Sequence, residues 1–455
     1  MIAPRIAVVG GGISGLVAAY RLRTRLGPDA DITVIERSPL LGGKLHTAML
    51  ADEPVDVGAE AFIARRPEVP ELLAELGLAD EIVHPGDLGP LLWSQGALHP
   101  VPKPTLMGIP AGPEPLHGLV DDATVRWMAD EPTRPLRWEP GSDVDVARLV
   151  GDRFGRQVVE RSVDPMLGGV YSGLADSIGV RAALPTLADA LDAGAPSLTD
   201  AVRSALPTPK PGPVFGALRD GYGTLLAALE REAKVHVVHA ETTGLRRLPG
   251  GWDVDPIGPV DGVMLAVPST ELAALLVPIA PGAASGAASI PLASSAVVAL
   301  ALPTDAGVPR NTGILVASDS PLAPSGAAKA FTMSSRKWPH LAERDVTLVR
   351  ASYGRFGDAS IVDASDTELI HAAIRDFGTV TGVTVTPVDV AVHRWHGGLP
   401  QYLPGHLDRV AEIEDGVAPL PRLEVCGALL RGVGVPACIA TAGAAAQRLA
   451  DALDA

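Results

Sequence analysis

The chain has 455 residues, of which 47% are hydrophobic, and its formal net charge is -16. This length exceeds a single simple core, so we expect two or three domains, and negative charge without a basic cluster excludes a nucleic-acid-binding surface. The two cysteines, Cys426 and Cys438, are too few for a disulfide framework or a cysteine-based zinc site, which fits a reduced cytoplasmic compartment.

The first element predicted is a strand at residues 6–9 that runs into the glycine pattern G-x-G-x-x-G. Gly10 permits a tight turn, Gly12 permits close approach of a pyrophosphate, and Gly15 permits a following helix to pack against the strand. A second strand, at residues 32–36, ends in an acid suited to a ribose diol. This order favours a dinucleotide site over a purely structural turn, with contacts from Gly10, Gly12, Ile13, Ser14, Gly15 and Glu36.

The next two segments, residues 37–44 and 56–60, distinguish flavin from nicotinamide. Both are similar to the FAD-binding pattern of glutathione-reductase-like and amine-oxidase-like flavoproteins, in which a Gly-Gly loop passes over the ADP phosphates. The alternative is an ordinary loop with a solvated arginine. Coupled to the first motif, the segments indicate FAD, with contacts from Arg37, Gly42, Gly43, Lys44, Gly58, Ala59 and Glu60.

Further along, leucines at helical spacing predict a helix over residues 67–78 that stops at Gly77, and Gln95-Gly96 predicts the turn of a hairpin over residues 91–102. Residues 103–210 are rich in Pro, Asp and Arg and carry short helical patterns, including residues 145–154 and 156–163. This pattern predicts a helical insertion.

The chain then returns to the nucleotide-binding unit with a helix near residue 223 and strands at residues 235–238 and 263–268. Runs at residues 293–302 and 345–353 predict an antiparallel sheet. After a strand at residues 423–427, a helix beginning near Gly434 would direct its N-H groups and positive dipole end at the negative charge of a reduced flavin, although a plain packing helix is the alternative. The further cofactor contacts expected in these regions are Thr242, Ala266, Gly427, Val433, Gly434 and Val435.

With these motifs together, the chain resembles the protoporphyrinogen and coproporphyrinogen oxidases of haem biosynthesis, within the amine-oxidase-like flavoproteins. Residues 164–173 are similar to the family's P-x-x-x-G-V-Y/F-A/S-G segment, and Trp395 with residues 399–406 is similar to its P-Q-Y-x-x-G-H segment. Residues 219–223 depart from the family's G-G-M or G-G-L stretch.

The fold class expected is α/β, in three parts. A Rossmann-like FAD-binding domain is assigned to residues 1–65, 212–275 and 390–455. An antiparallel-sheet substrate domain is assigned to residues 66–102 and 276–389. The helical insertion, residues 103–211, is the part where membrane association is left open.

The resemblance implies that a meso carbon of a porphyrinogen gives hydride to flavin N5, in three cycles that remove six electrons, with dioxygen as acceptor and hydrogen peroxide as product. No side chain is expected to be catalytic; the backbone carbonyl at Gly169 is placed near the pyrrole N-H groups and Tyr171 on the cavity wall. Without the resemblance, a helix-to-loop turn with a buried tyrosine is the better interpretation.

Substrate propionates need positive partners, for which bidentate arginine is suited. The candidates are Arg65, Arg66 and Arg431, and Tyr402 is added as a substrate contact. The resemblance favours coproporphyrinogen III, which has four propionates, and leaves protoporphyrinogen IX open. Two further functions stay open on the same scaffold: an amine oxidase or carotenoid desaturase, and an FAD-containing protein without catalytic activity.

No metal is expected, because no histidine lies in an H-x-x-H context, and His406 is expected to be a packed or hydrogen-bonded residue. No run of about 18 uncharged apolar residues occurs, so no membrane span is predicted. We expect a cytoplasmic protein with at most weak peripheral membrane contact, through residues such as Trp127, Trp138 and Ile109. Enzymes that act later in the haem pathway are candidate partners.

Overall fold

The computed structural model describes residues 3–208, 211–320, 322 and 326–454. Its strands, in chain order, are β1 Arg5–Val9, β2 Asp31–Glu36, β3 Thr47–Leu50, β4 Glu53–Asp56, β5 Phe62–Ile63, β6 Ile82–Val83, β7 Leu91–Ser94, β8 Ala97–Pro100, β9 Thr105–Leu106, β10 Ile109–Pro110, β11 Phe215–Leu218, β12 His236–His239, β13 Leu245–Leu248, β14 Gly251–Val254, β15 Gly258–Val260, β16 Gly262–Leu265, β17 Leu292–Pro303, β18 Gly313–Val316, β19 Ala330–Thr332, β20 Val346–Tyr353, β21 Asp389–Pro400 and β22 Leu423–Val425.

The α-helices, in chain order, are α1 Ile13–Leu26, α2 Glu68–Glu75, α3 Asp122–Ala129, α4 Val146–Phe154, α5 Arg156–Val158, α6 Asp164–Tyr171, α7 Val180–Ala183, α8 Pro185–Asp192, α9 Leu198–Ala205, α10 Gly223–Ala233, α11 Ser269–Leu276, α12 Pro281–Ala288, α13 Ser334–Lys337, α14 Asp366–Thr381, α15 His406–Val417 and α16 Val435–Asp454. The predicted helix after residue 67 and the predicted hairpin, formed by β7 and β8, are both confirmed.

One layer is a five-stranded parallel sheet in the order β12-β2-β1-β16-β22. Along β1, Ile6 and Val8 join a core cluster with α1 and α16, whereas Ala7 and Val9 join the cluster on the opposite face. A strand that is buried on both faces needs an unbroken apolar run, which is the pattern seen in the sequence. The predicted Rossmann-like sheet is therefore confirmed.

A seven-stranded sheet in the order β21-β17-β20-β19-β18-β7-β8 forms a second layer. Val298 on β17 and Val349 on β20 pack toward Phe377 of α14 on one face. Because side chains alternate along a strand, Arg350 and Trp395 project from the opposite face. Apart from the parallel pair β18 and β7, the neighbouring strands are antiparallel, as predicted for this sheet.

The strand β21 corrects one predicted boundary. Residues from 390 onward were assigned to the FAD-binding domain, but β21 pairs with β17 along its length, from Leu292 opposite Pro400 to Ala301 opposite Asp389. The reason is that the apolar run of β17 is shared between two neighbours, β20 and β21, and the sequence does not show which strands pair.

The insertion is helical, as predicted, and contains α3 to α9 around a core cluster that Leu92 and Tyr402, from outside the insertion, also join. Asp145 caps α4 by accepting a hydrogen bond from Arg148 N-H. A π-helical turn at Val159–Val163 then leads into α6, which ends where Ser172 adopts the left-handed conformation with φ 54°. In the part of the chain that the structure describes, no helix combines the length and the apolar character that crossing a bilayer requires.

Candidate active site

Five candidate cofactor residues lie just beyond the carboxyl ends of the parallel strands. Gly10 follows β1, Arg37 follows β2, Thr242 comes three residues after β12, Ala266 follows β16, and Gly427 comes two residues after β22. Parallel strands end at the same edge of a sheet, and ligands of open α/β sheets bind in the crevice outside that edge. The fold thus brings together residues that are up to 417 positions apart in the chain.

The three motif glycines have different surroundings. A Cβ atom on Gly10 would lie 2.4 Å from Ala266 O, and one on Gly15 would lie 1.9 Å from Gly10 O, so both positions are closed by the fold. On Gly12, by contrast, a Cβ would meet only Gly43 Cα, at 3.7 Å. Gly12 therefore faces a space that the protein itself leaves open, which fits the approach of a pyrophosphate.

The second glycine loop lies directly on the first. Gly42 N donates to Gly11 O at 2.8 Å, and a Cβ on Gly43 would come within 3.0 Å of Gly12 Cα. Glu36 supports the same turn, since its carboxylate accepts hydrogen bonds from Gly11 N at 2.7 Å and Ser38 N at 2.8 Å. The two loops form one cradle made mainly of backbone.

The first turns of α1 and α16 meet beside this cradle. Ser14 in the first turn of α1 hydrogen-bonds to Cys438 in the first turn of α16, and a Cβ on Gly427 would lie 3.7 Å from Ser14 Oγ. Val433 and Gly434 immediately precede α16, which begins at Val435. Two positive helix ends therefore lie side by side, an arrangement that favours a negatively charged group.

Three further observations test whether FAD fits. The Oγ1 atom of Thr242 is buried and has no hydrogen-bond partner among the described residues, so a ligand atom could supply one. Desolvation lowers the pKa of Lys44, which lies beside Gly43 in a surrounding of Glu271, Arg37 and Glu36. Arg37 itself forms an ion pair with Glu271 at 2.6 Å, so its side chain is held at the edge of the site. Together with the open cradle, these residues fit FAD.

Glu60 was predicted to contact the cofactor, but its side chain is used elsewhere. It accepts hydrogen bonds from Lys337 Nζ at 2.7 Å and Ser334 Oγ at 2.6 Å, and Arg350 Nη1 lies 3.5 Å away. These cations hold the pKa of Glu60 down to about 2, against the opposing effect of burial. The carboxylate therefore joins the cofactor side of the molecule to the seven-stranded sheet. Gly58 and Ala59 precede it, and Gly58 O accepts from Arg350 at 2.7 Å.

The three arginines proposed for propionate binding have protein partners instead. Arg65 donates to Gly212 O at 2.9 Å. Arg66 pairs with Glu68 in the next turn of the chain, and Arg431 pairs with Glu414 on α15. Their predicted role is therefore not supported, because each side chain has a partner within the protein that competes with a propionate for its donors.

Tyr402, predicted as a substrate contact, is a buried structural residue. Its hydroxyl donates to Ala428 O at 2.5 Å and accepts from Gly432 N at 2.7 Å. His406 is also buried, as expected, and its Nε2 donates to Leu430 O at 2.8 Å. Both side chains hold the loop at residues 428–432 that leads to the start of α16, where a flavin contact is predicted. We call this loop the 428–432 loop below.

Gln401 links the same segment to α6. Its Nε2 donates to Tyr171 O at 2.6 Å, and the ring of Tyr171 lies 5.6 Å from that of Tyr402. The two segments that carried the family resemblance are thus in direct contact, although about 230 positions separate them. Burial raises the pKa of Tyr171 to about 12, so its hydroxyl stays neutral.

Gly169 lies on the exposed side of α6, and a Cβ at this position would be 4.0 Å from Leu315 on β18. Since α6 ends at Tyr171, the carbonyl of Gly169 is among the last four of the helix, which have no partner within it. In the described residues, no N-H or side chain donates to Gly169 O. The site therefore includes an open acceptor between α6 and the inner face of the seven-stranded sheet.

An aromatic group lies on that sheet face. Trp395 belongs to the segment that resembles the family, but its stacking with two histidines was not predicted. His393 lies between His46 and Trp395, at ring distances of 4.7 Å and 4.1 Å, and Trp395 Nε1 donates to Val57 O. Desolvation, with a smaller effect of His46, lowers the pKa of His393 to about 4. The neutral ring thus forms part of an apolar wall beside Gly58. The sequence does contain a signal for this group: His393 and Trp395 are two positions apart on β21, so strand alternation puts both on one face of the sheet.

Comparison with known proteins agrees with this geometry. The family model "Flavin containing amine oxidoreductase" matches residues 13–450. A coproporphyrinogen III oxidase of Mycobacterium tuberculosis is 52% identical over 98% of both chains. A structure from Exiguobacterium sp. 255-15, assigned as a protoporphyrinogen oxidase, covers 99% of both chains with 28% identity and a TM-score of 0.86. Cyclohexylamine oxidase from Brevibacterium oxydans shares the fold alone, with a TM-score of 0.72 and 14% identity.

Proposed function

Because this chain belongs to the flavin-containing amine oxidoreductase family, with FAD as its cofactor, we propose that it oxidises coproporphyrinogen III to coproporphyrin III. The observation that carries this choice of substrate is the similarity to mycobacterial coproporphyrinogen III oxidases over 98% of the chain. That similarity spans both the segment around Gly169 and the segment around Tyr402, which contact each other in the fold.

When bound, FAD supplies a two-electron hydride acceptor that dioxygen reoxidises to give hydrogen peroxide, so that three turnovers remove the six electrons of the reaction. The chain contributes binding and orientation. Gly10, Gly12 and Gly43 shape the cradle for the cofactor phosphates, and Glu36 lies at the position suited to the ribose.

On the substrate side, the open carbonyl of Gly169 is suited to accept a hydrogen bond from a pyrrole N-H. The facing sheet supplies Leu315 and the neutral His393 as walls that exclude water. Among the described residues, the side chain that a Cβ at Gly169 would meet is the apolar Leu315. We therefore propose that the protein adds orientation and a dry site, and not acid-base catalysis.

The test is a steady-state comparison of coproporphyrinogen III with protoporphyrinogen IX, following porphyrin fluorescence and peroxide release. We expect a clear preference in kcat/KM for coproporphyrinogen III. A preference for protoporphyrinogen IX would support the second candidate, which the likeness to the Exiguobacterium structure favours. Oxidation of amines but of neither porphyrinogen would reject both.

We further propose a cytoplasmic location with weak membrane contact at most. The apolar residues that suggested membrane contact are mostly used within the insertion: Ile109 is buried, and Trp138 Nε1 donates to Asp192 at 2.8 Å. Trp127 is exposed, but Arg134 stacks on its ring at 3.7 Å. Sedimentation with anionic liposomes at physiological salt should leave most of the protein in the supernatant, and full recovery in the pellet would contradict this. Association with later haem-pathway enzymes is part of the same proposal.

A further inference from the structure

Two cationic side chains lie close together beside strands β19 and β20. Neither was predicted from the sequence as a substrate contact. Lys329 directly precedes β19, and Arg355 follows β20 by two residues. Lys329 is 6% exposed, and its Nζ donates to Ser172 Oγ at 2.6 Å and to Gly354 O at 2.8 Å. Both acceptors are neutral, and among the described residues no carboxylate forms an ion pair with this ammonium group.

The guanidinium of Arg355 is half-buried and forms no hydrogen bond or ion pair with the described residues. Asp164 and Asp358 act on it only as more distant charges. The carboxylate of Asp164 accepts instead from Ala175 N at 2.8 Å and Ser318 Oγ at 2.5 Å. Arg355 thus differs from Arg65, Arg66 and Arg431, which all have partners within the protein.

Lys329 and Arg355 lie next to the end of α6, the helix that carries Gly169. Phe356 N donates to Ser172 O at 2.6 Å, so the turn that carries Arg355 lies against the end of α6, within one helical turn of Gly169. Earlier on β20, Arg350 donates to the carbonyl oxygen of Gly58, which is a predicted cofactor contact. Residues 350 and 353 are about 10 Å apart along a strand. Arg355 therefore lies beyond the end of β20 that is farther from Gly58, where the part of a macrocycle remote from the predicted flavin position would reach.

We infer that Arg355, supported by Lys329, binds a propionate carboxylate of the substrate. The inference rests on the proposed function and deepens it, because it assigns carboxylate recognition to a cation whose guanidinium has no partner among the described residues, whereas the predicted arginines have partners within the protein. Buried charges without a counter-ion are unfavourable, so two adjacent cations favour an anion between them. The planar fork of arginine matches a carboxylate with two parallel hydrogen bonds.

The lowered pKa of Lys329 agrees with this assignment. Desolvation, followed by repulsion from Arg355, lowers the pKa of Lys329 to about 7. A bound carboxylate would raise that pKa by opposing both effects. Affinity for an anion should therefore be highest below pH 7 and fall as the pH rises above it. The charged groups that face Arg355 are Asp164 and Asp358, and Arg355 is the charged group that acts on Lys329. Lys329 is therefore the group whose titration is tested.

The experiment uses the FAD-loaded enzyme and coproporphyrin III, the stable product, as the probe. Dissociation constants are measured by fluorescence for the wild type, Arg355→Gln, Lys329→Met and the control Arg246→Gln, whose side chain is 79% exposed on β13. We expect Arg355→Gln to raise Kd and KM by about 10-fold or more, with kcat changed less than about 3-fold. Lys329→Met should weaken binding and remove the loss of affinity above pH 7, and Arg246→Gln should change neither.

Unchanged Kd and KM in both Arg355→Gln and Lys329→Met would overturn the inference. Flavin content and thermal unfolding show whether Arg355→Gln is folded, and if it is not, Lys329→Met decides alone by its Kd and pH profile. A wild-type enzyme that neither binds coproporphyrin III nor oxidises its porphyrinogen would instead reject the proposed function. The two failures are therefore distinguishable.

Discussion

The imidazole of His406 is stacked on the phenol ring of Tyr402, with ring centroids 3.8 Å apart and an interplanar angle of 18°. Since Leu430 O can only accept, the Nε2 of His406 carries the proton, whereas its buried Nδ1 has no partner among the described residues. The stacked pair holds the 428–432 loop through three hydrogen bonds and so determines where α16 begins.

The first prediction concerns this support. Tyr402→Phe removes the bond to Ala428 and leaves Gly432 N-H without its acceptor, which we expect to lower the free energy of unfolding by about 1–3 kcal/mol. Because the loop leads to the start of α16, which we propose faces the cofactor, the flavin absorption bands and kcat should also change. Tyr353→Phe is the matched control, since it removes one buried bond to Asp376 on the other side of the sheet. Identical flavin spectra for both variants would contradict a positioning role for Tyr402.

The second prediction is a pH dependence of stability. Burial lowers the pKa of His406 from 6.5 to about 4, so the unfolded chain binds this proton more tightly. Stability should therefore fall as the pH decreases from 6.5 to 4, by about 3 kcal/mol for this residue. Urea unfolding at pH 7 and pH 4.5 should show a smaller loss for His406→Asn than for the wild type. The variant His236→Asn, with a side chain 81% exposed, should retain the wild-type difference.

A third prediction separates folding from cofactor binding at Gly12. Because a Cβ there would meet no protein atom nearer than 3.7 Å, Gly12→Ala should leave the stability of the flavin-free protein within about 0.5 kcal/mol. The methyl group would occupy the space that a pyrophosphate approaches, so the Kd for FAD should rise by about 100-fold. FAD titration followed by flavin fluorescence measures this. Gly443→Ala, inside α16 with no atom within 4 Å, should bind FAD normally.

The fourth prediction tests the link between the two layers. Glu60→Gln removes the charge shared by Lys337 and Arg350 and should cost about 3–5 kcal/mol of unfolding free energy, because it leaves buried cations without a partner. The contribution of Glu60 should be fully present above pH 4.5 and be lost as the pH falls toward 2. Glu68→Gln, which breaks the local pair with Arg66, should cost less than about 1 kcal/mol. Equal losses in urea unfolding would contradict a special role for Glu60.

Much of the fold could be predicted from short stretches of the sequence. The glycine pattern from Gly10 to Gly15 and the strand that ends at Glu36 specify a βαβ unit within about 30 residues, because turn conformation and apolar periodicity are short-range properties. The start of α16 after Gly434 and the hairpin turn at Gln95 were predictable for the same reason.

The hydrogen-bond and ion-pair partners of long polar side chains could not be predicted from short stretches of the sequence. Glu60, Arg431 and Tyr402 are residues of types that often bind ligands. Within the protein, however, they bond to Lys337, Glu414 and Ala428, respectively, which lie 17 or more positions away in the chain. Which acceptor a flexible side chain reaches depends on how the layers pack, and this depends on contacts summed over the whole molecule.

The sequence by itself determined the cofactor class and the existence of both sheets, since glycine turns and hydrophobic periods act within one or two elements. Only the tertiary structure decided that Lys329 lies beside Gly354 and the turn that carries Arg355, and that Gln401 reaches Tyr171. The first contact requires the antiparallel pairing of β19 with β20, and the second requires the insertion to close onto the segment after β21. Both are long-range arrangements whose free energy comes from burying shared apolar surface, so no short stretch of residues contains them.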